Sequence, residues 1–502
     1  MDQTQAPIVD ALAKVEAHPV TGFGVPGHGH GSAIPGRLRR LVGKKAFKAD
    51  LLTVKGIEDR TESEHVLFRA QELAADAWGA DLCRLVTGGS TQSLHSVLAA
   101  IARAGDTVLI AQNAHKAEWS FALAAGLDAV PLPVQIDHHY DIETVIAPET
   151  LDVALAAYPH AKAVVVVSPN YYGITSDIAA LARIAHARGI PLIVDAAWGG
   201  AFAFSSRLPA DALALGADVE VCSIHKTMTA MAQGSVMLAR GDLVDQQRLA
   251  LAYELFETTS PSIPILASLD ASRRDHAIKG EKIWDEVLDM AEDARTRIAK
   301  IPGLRVWERD RLPPDCELDP SAILIDCSGL GVTGYAADDW LYANHNIAMG
   351  LSEGRHILAL ILPGTTSSSV RKLVHALSDL SEQLRKDPTI LPRDVDRIPG
   401  IGTVAFERAL PPADAFFADA EEVAYENCAG RIAAEIIAPS PPGVPRVVPG
   451  QRINEALRDW LVANRDAGMF VLDPADPSER RIRVVRADAA VLDRPFMLTV
   501  QA

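Results

Sequence analysis

The stretch PLIVDAAWGG, residues 191–200, decides the fold of this chain. Its apolar run predicts a short buried strand over Pro191–Asp195 that ends in a carboxylate. A second apolar run, Val219–Ser223, predicts another strand, and His225 and Lys226 come shortly after it. Buried apolar strands that alternate with helices are typical of a parallel sheet covered on both faces. The two runs therefore predict an α/β fold with charged side chains at the carboxyl ends of its strands.

The same alternation continues on both sides of these strands. The sequence predicts further strands at Leu82–Val86, Thr107–Ala111, Ala163–Ser168 and Ser235–Leu238, and helices at Thr61–Trp78, Thr91–Arg103, Trp119–Ala125, Asp177–Arg188 and Ile265–Lys300. Polar residues follow several strand ends, namely Ser90, His115, Asp195 and His225. Ligands of such sheets bind at the carboxyl ends of the strands. We therefore expect these side chains to share one ligand site.

The length of 502 residues predicts more than one domain. We predict an N-terminal segment (1–60), a large domain with a mostly parallel sheet (61–290), a smaller α/β domain (291–395) and a C-terminal α+β domain (396–502). The last boundary rests on the polar, Pro-rich stretch over 386–399, which is typical of a linker.

The composition excludes several classes of protein. The formal net charge is −17, from 48 basic and 65 acidic residues, and a nucleic-acid-binding protein needs a basic surface instead. No window holds the ~18 uninterrupted apolar residues of a membrane span. The five cysteines are dispersed, which is typical of reduced thiols in a cytoplasmic protein. His28 and His30 lack further ligands at a matching spacing, so we expect no metal site.

Lys226 has the position of a reactive amine. An ammonium group in apolar surroundings is costly, so a lysine at the end of a buried strand tends to be neutral and nucleophilic. Such an amine forms a Schiff base with an aldehyde. Taken alone, a lysine here is more often a surface residue, and an aspartate such as Asp195 more often caps a helix or binds Mg²⁺. The combination of the two favours a shared chemical role.

Three groups together predict pyridoxal 5'-phosphate (PLP) as the cofactor. Lys226 would supply the Schiff-base amine, and Asp195 a carboxylate for the pyridinium nitrogen of the electron-accepting ring. Residues 88–91, Gly-Gly-Ser-Thr, precede a predicted helix, whose first N–H groups and two hydroxyls suit a phosphate. A hydroxyl at such a place is more often only a helix cap. Ala197 would then contact one face of the ring.

These motifs resemble those of the Orn/Lys/Arg decarboxylase family, the fold-type-I PLP-dependent decarboxylases, over nearly the whole chain. The resembling segments are VPGHGHG (25–31), GGST (88–91), NAHKAEW (113–119), DAAWGGAFAF (195–204), SIHKTMTAMAQGS (223–235) and GRIAAEIIAPSPPGVPRVVPG (430–450). The resemblance implies a large domain similar to that of aspartate aminotransferase. It also implies a homodimer or higher homo-oligomer with active sites at the subunit interface.

The resemblance further implies a role for each matching residue. Lys226 would be the Schiff-base lysine, and Asp195 the partner of the pyridine nitrogen. His115 would be a catalytic residue that stacks on the ring face opposite Ala197. The other cofactor-binding positions would surround the phosphate or line the pocket: Gly89, Ser90, Thr91, Trp198, Ser223 and His225.

Four positions depart from the family pattern. Gln451 stands where the family usually has a Glu associated with the distal cationic group of the substrate, so we expect Gln451 to contact the substrate. Ser440 replaces the usual Tyr before Pro-Pro-Gly, Gly29 replaces Lys or Met, and Ala114 replaces the usual Cys. The pattern predicts an intact cofactor half and a diverged substrate half.

The sequence therefore predicts PLP-dependent decarboxylation of a small-molecule amino acid through Lys226. A basic amino acid (lysine, ornithine or arginine) or a derivative is favoured, as in polyamine biosynthesis. One alternative is another PLP reaction, either transamination, elimination or an oxidative variant, on a non-canonical amino acid. The same ring-stabilised carbanion serves all of them, so product analysis must discriminate. A second alternative, a catalytically silent binding or regulatory homologue, predicts a purified protein that takes up no PLP.

Overall fold

The computed structural model describes residues 1–18, 21, 23–51, 65–404 and 406–489. The first positions of the helix predicted from Thr61, and the last residues of the predicted C-terminal domain (490–502), lie outside the described residues. The helices are α1 (Pro7–Ala17), α2 (Gly36–Ala49), α3 (Val66–Trp78), α4 (Gly89–Ile101), α5 (Lys116–Ala124), α6 (Pro148–Ala157), α7 (Ile178–His186), α8 (Ile224–Thr227), α9 (Gln246–Phe256), α10 (Ile263–Ile298), α11 (Gly334–His345), α12 (Ser367–Lys386), α13 (Pro412–Phe417) and α14 (Glu455–Asp466). Within the described ranges, none of these helices is long and apolar enough to cross a membrane.

The strands are mostly short and buried. They are β1 (Leu82–Val86), β2 (Thr107–Ala111), β3 (Asp128–Leu132), β4 (Ile136–Asp137), β5 (Ile142–Glu143), β6 (Ala163–Val167), β7 (Leu192–Asp195), β8 (Val219–Cys222), β9 (Ser235–Ala239), β10 (Arg305–Val306), β11 (Ala322–Asp326), β12 (Leu351–Ser352), β13 (His356–Leu360), β14 (Glu407–Arg408), β15 (Ala420–Ala424), β16 (Gln451–Arg452) and β17 (Arg481–Val485).

The chain forms two compact units, each built from two separate segments. The first unit comprises residues 1–101 and 191–285. Its strands lie in the order β1-β9-β8-β7. Strands β7 and β8 are parallel, whereas β9 is antiparallel to both β8 and β1. Every residue of β7, β8 and β9 is buried, as expected for apolar strands covered on both faces.

The second unit comprises residues 102–190 and 286–502. Its strands β6, β2 and β3 are parallel neighbours. A separate antiparallel sheet has the order β10-β11-β13-β12, and three small pairs join β4 to β5, β14 to β16 and β15 to β17. Near the carboxyl end, a core cluster packs α14, through Leu457 and Trp460, against strand β17, through Ile482 and Val484.

The predicted α/β class with mostly parallel strands is confirmed. The bounds of β1 and β2 agree with the prediction, because short runs that are mostly apolar mark these strands, although Arg84 interrupts the run of β1. Helix α7 begins one residue after Asp177, whose carboxylate accepts from the Ala180 N–H at 2.9 Å and caps the helix. The division into four consecutive domains stays a prediction.

Candidate active site

Lys226 lies in the short helix α8, which follows strand β8 without a connecting loop. Ser223 caps this helix, and its carbonyl accepts from the Lys226 N–H at 3.0 Å. The Nζ atom of the half-buried Lys226 lies 4.4 Å from the centroid of the Trp198 ring. An ammonium over an indole face is stabilised by roughly 0.5–2 kcal/mol. The structure therefore brings Lys226 and Trp198 together, as two of the predicted site residues.

Asp195 is the last residue of β7 and is 3% exposed. Its Oδ1 accepts from the Ala197 N–H at 3.0 Å, which fixes the turn that carries Ala197 and Trp198. Asp195 pairs with Val221 in the neighbouring parallel strand β8. The carboxyl ends of β7 and β8 therefore lie at one edge of the sheet. Asp195 and the Ser223–Lys226 segment both lie at this edge.

A cluster of serine hydroxyls lies at the same edge, at the amino terminus of α4. The Oγ atoms of Ser90 and Ser223 are 2.6 Å apart, and Ser235 Oγ lies 3.4 Å from that of Ser90 and 3.1 Å from that of Ser93. Gly89 has a φ of +72° and donates its N–H to the Gln233 carbonyl. Glycine adopts this left-handed conformation without strain, so the chain can turn sharply into α4.

Ser235 was not predicted as a site residue. The carboxyl-end rule applies to parallel strands, whereas Ser235 is the first residue of the antiparallel strand β9. Because β9 runs against β8, its beginning lies at the edge where β8 ends. Thr91, which was predicted beside the phosphate, is exposed on the first turn of α4, while Ser90 is buried.

His225 is half-buried and donates from Nδ1 to the Gly234 carbonyl at 2.9 Å. Burial, and to a lesser extent the charge of Lys226, lower the pKa of His225 below its ordinary value, although the bond to Gly234 opposes this. The lowered pKa favours the neutral form of the His225 imidazole. In that form Nδ1 carries the proton that is donated to Gly234, and Nε2 is a hydrogen-bond acceptor.

Two buried acids lie close together in the first unit: Glu220 within strand β8 and Asp211 ahead of it. Glu220 accepts from the Leu213 N–H at 3.1 Å and from the Cys222 thiol at 3.3 Å, and Asp211 accepts from the same Leu213 N–H. Burial, reinforced by Asp211, raises the pKa of Glu220 well above its ordinary value. Burial also raises the pKa of the Cys222 thiol, which fits a packing role for this cysteine.

His115 and Gln451 belong to the second unit. His115 caps α5, and its Nδ1 accepts from the Ala117 N–H at 3.2 Å. Gln451 is 1% exposed in strand β16, and its Oε1 accepts from the Val448 N–H at 3.2 Å. Gln451 is therefore an interior residue with a neutral side chain, and the substrate contact predicted for it stays a prediction.

Comparisons with known proteins agree with the motifs. The family model "Orn/Lys/Arg decarboxylase, major domain" matches residues 6–317, and the C-terminal domain model of the same family matches 404–469. The arginine decarboxylase of Bacillus subtilis (strain 168) is 30% identical over 493 residues, which cover 98% of this chain and 100% of that protein. The arginine decarboxylase of Halalkalibacterium halodurans is 32% identical, over 97% of this chain and 99% of its own length.

Solved structures show the same fold. The lysine decarboxylase of Francisella novicida superposes with a TM-score of 0.79 at 20% identity, covering 96% of this chain and 81% of that one. The predicted fold class is confirmed by this likeness. The chain therefore belongs to the Orn/Lys/Arg decarboxylase family and is a decarboxylase enzyme.

Proposed function

We propose that this protein is a PLP-dependent decarboxylase of a basic amino acid. The observation that carries the proposal is the convergence of Asp195, Lys226 and the serine cluster at one edge of the sheet in the first unit. The relatives from Bacillus subtilis and Halalkalibacterium halodurans, at 30% and 32% identity over nearly the whole chain, are arginine decarboxylases, which supports arginine as the first substrate to test.

The residues of this edge fit the chemical groups of PLP. Ser90, Ser223 and Ser235 offer three hydroxyls beside the amino terminus of α4, a donor set that suits a phosphate. Asp195 offers a buried carboxylate, which a protonated pyridine nitrogen would neutralise. When bound, PLP supplies a pyridinium ring that takes up the electron pair of the broken bond between Cα and the carboxylate.

The protein's own residues would bind, orient and move a proton. Lys226 would hold the aldehyde carbon in the resting enzyme and afterwards return a proton to Cα from its Nζ. The Trp198 ring lies beneath Nζ, 4.4 Å from it to the ring centroid, and so helps to hold the Lys226 amine at this edge of the sheet. Asp195 would keep the pyridine nitrogen protonated. The proposal assigns His115 to the ring face on the strength of its motif alone.

The residues that depart from the family pattern near the expected substrate, Gln451 and Ser440, support a second candidate function. Gln451 has no charge to pair with a guanidinium or ammonium, and its Oε1 is already engaged by the Val448 N–H. Ser440 also departs from the family's Tyr. These two residues favour a different PLP-dependent reaction, either transamination, elimination or an oxidative variant, on a non-canonical amino acid as the alternative.

A product screen by mass spectrometry separates the candidates. PLP-reconstituted protein is incubated with arginine, lysine, ornithine and neutral amino acids. Release of carbon dioxide with the matching amine from a basic amino acid supports the proposal. A keto acid as the product, or carbon dioxide from neutral amino acids only, supports the alternative.

The role of Lys226 has its own test. After borohydride reduction of the PLP-loaded protein, the peptide containing Lys226 should carry a phosphopyridoxyl group. Lys226→Ala should abolish both this label and carbon dioxide release, whereas Lys279→Ala, an exposed lysine of the same unit, should change neither. A label that persists in Lys226→Ala would contradict the assignment.

The proposal also includes a cytoplasmic homodimer with active sites at the subunit interface. Light scattering on the PLP-loaded protein measures its mass against that of the 53.7 kDa chain. A monomer with full activity would remove this part of the proposal and leave the chemistry standing.

A further inference from the structure

The turn that contains Gly443 lies against the ring of His115. The Lys116 N–H donates to the Gly443 carbonyl at 2.9 Å, and the Gly443 N–H donates to the Pro439 carbonyl at 2.8 Å. Gly443 has a φ of +87°, and a Cβ at this position would lie 2.8 Å from His115 Nε2 and 3.0 Å from its Cδ2. Any other residue here would therefore be strained and would push the imidazole away.

The hydrogen bonds of His115 also select one tautomer. Its Nδ1 accepts from the Ala117 N–H, and this bond requires a lone pair on Nδ1. The proton of the neutral ring then belongs on Nε2, at the edge that faces Gly443. The helix cap and the glycine turn thus hold the ring from opposite edges.

Arg446 anchors this turn in the interior. Its guanidinium lies 2.8 Å from Glu143 Oε1 and donates to the Tyr171 hydroxyl at 3.2 Å. Tyr171 donates in turn to Glu143 Oε2 at 3.2 Å, so the three side chains form a closed ring of contacts. The side chains of Arg446 and Glu143 are only 12% and 4% exposed. A buried pair with such geometry tolerates little movement, because displacement leaves a charge without its partner.

We propose that Arg446 is a positioning residue: its buried ion pair with Glu143 anchors the turn over 439–446, through which Gly443 holds His115 in one orientation and one tautomer. All of these groups belong to the second unit. Their contacts join residues of the chain to one another and need no cofactor. Its value for catalysis rests on the proposed function, in which the ring of His115 contacts PLP.

The first test uses cofactor-free protein with nitrogen-15-labelled histidine. Ring chemical shifts report which nitrogen carries the proton, and His115→Gln identifies the His115 signals. We expect a single Nε2-protonated tautomer in the wild type. Arg446→Met and Gly443→Ala should give a mixture of tautomers or shifted signals, while Arg297→Met should not. Arg297 forms an exposed pair with Asp293 in the same unit, at 2.9 Å.

The second test measures catalysis in the PLP-loaded protein. Arg446→Met and Gly443→Ala should lower kcat roughly ten- to a hundredfold with little change in KM, because His115 is displaced while the substrate contacts remain. Borohydride labelling of Lys226 should be unchanged. Arg446→Lys, which keeps a charge for Glu143, should recover part of the kcat.

Two outcomes would overturn the proposal. One is a folded Arg446→Met protein with the wild-type His115 spectrum. The other is a Gly443→Ala protein with wild-type His115 signals and kcat, and this variant leaves the ion pair intact in case Arg446→Met does not fold. Failure of the wild type to label at Lys226 would instead refute the proposed function, and the His115 spectra would still decide the positioning role.

Discussion

Replacement of Arg273 by Met is predicted to release the amino-terminal segment from helix α10. The Arg273 guanidinium donates to the carbonyls of Gln3 and Gln5 at 3.1 and 2.7 Å, and to Asp270 Oδ1 at 2.6 Å. Asp270 also accepts from the Ile8 N–H at 2.9 Å. The side chains of Arg273 and Asp270 are 1% and 0% exposed. One buried cation therefore ties the first residues of the chain to α10.

The magnitude follows from the burial of this pair. Breaking a buried ion pair by removing one partner costs about 3–5 kcal/mol. At about 1.4 kcal/mol per factor of ten, the segment should open on the order of a hundred to a few thousand times more often. Burial already raises the pKa of Asp270, and the lost guanidinium would favour its protonated form further. Adding Asp270→Asn, which keeps an acceptor for Ile8 without the charge, should recover most of the loss.

Hydrogen exchange at the Ile8 amide measures this opening, because the amide is bonded to Asp270 itself. Arg248→Met is the control, since its pair with Asp245 is exposed and 3.9 Å long. We expect faster exchange of the amino-terminal peptide in Arg273→Met only. Unchanged protection in a folded Arg273→Met protein, or no recovery in the double variant, would refute the reasoning.

Two further predictions concern the first unit. In Gly280→Ala, the added Cβ would lie 2.5 Å from the Phe204 carbonyl oxygen, so overpacking of about 1–3 kcal/mol should outweigh the ~1 kcal/mol gain in helix propensity and lower the Tm. An equal or higher Tm would contradict this. Glu220→Gln should become more stable relative to the wild type as the pH rises above about 4.3, the ordinary pKa of Glu. Above this pH Glu220 ionises in the unfolded chain, whereas in the folded protein burial and Asp211 raise its pKa, so folding requires it to keep its proton. Parallel profiles of Tm against pH from 5 to 8 would count against it.

The sequence predicts strands better than helix starts. Apolar runs place β1 and β2 at their observed bounds, whereas α4 begins at Gly89 rather than at Thr91, and α5 at Lys116 rather than at Trp119. These starts depend on a left-handed glycine and on an imidazole that caps a helix. Neither feature changes the apolar periodicity, so the periodicity of the sequence cannot locate the first residue of either helix.

Some positions of the candidate site could be predicted from the sequence and others could not. The placement of Asp195 and Lys226 at one edge of the sheet could be predicted, because Asp195 ends β7 and Lys226 follows shortly after the parallel strand β8. Ser235 could not be placed at this edge, because local sequence does not show that β9 runs antiparallel to β8. The ion pair of Arg446 joins residues about 300 positions apart, and nothing in the local sequence of either residue indicates the other.

The discontinuous first unit has a consequence for synthesis of the protein. Strand β1 pairs with β9, where Leu82 lies opposite Ala239. Ribosomes add about 5–20 residues per second, so the roughly 150 residues between the two strands take on the order of 10 s to appear. During this interval β1 is an apolar strand without its partner, and unpaired edges of this kind attract other chains. The nascent chain therefore carries residues 82–86 without their pairing strand until β9 has been made.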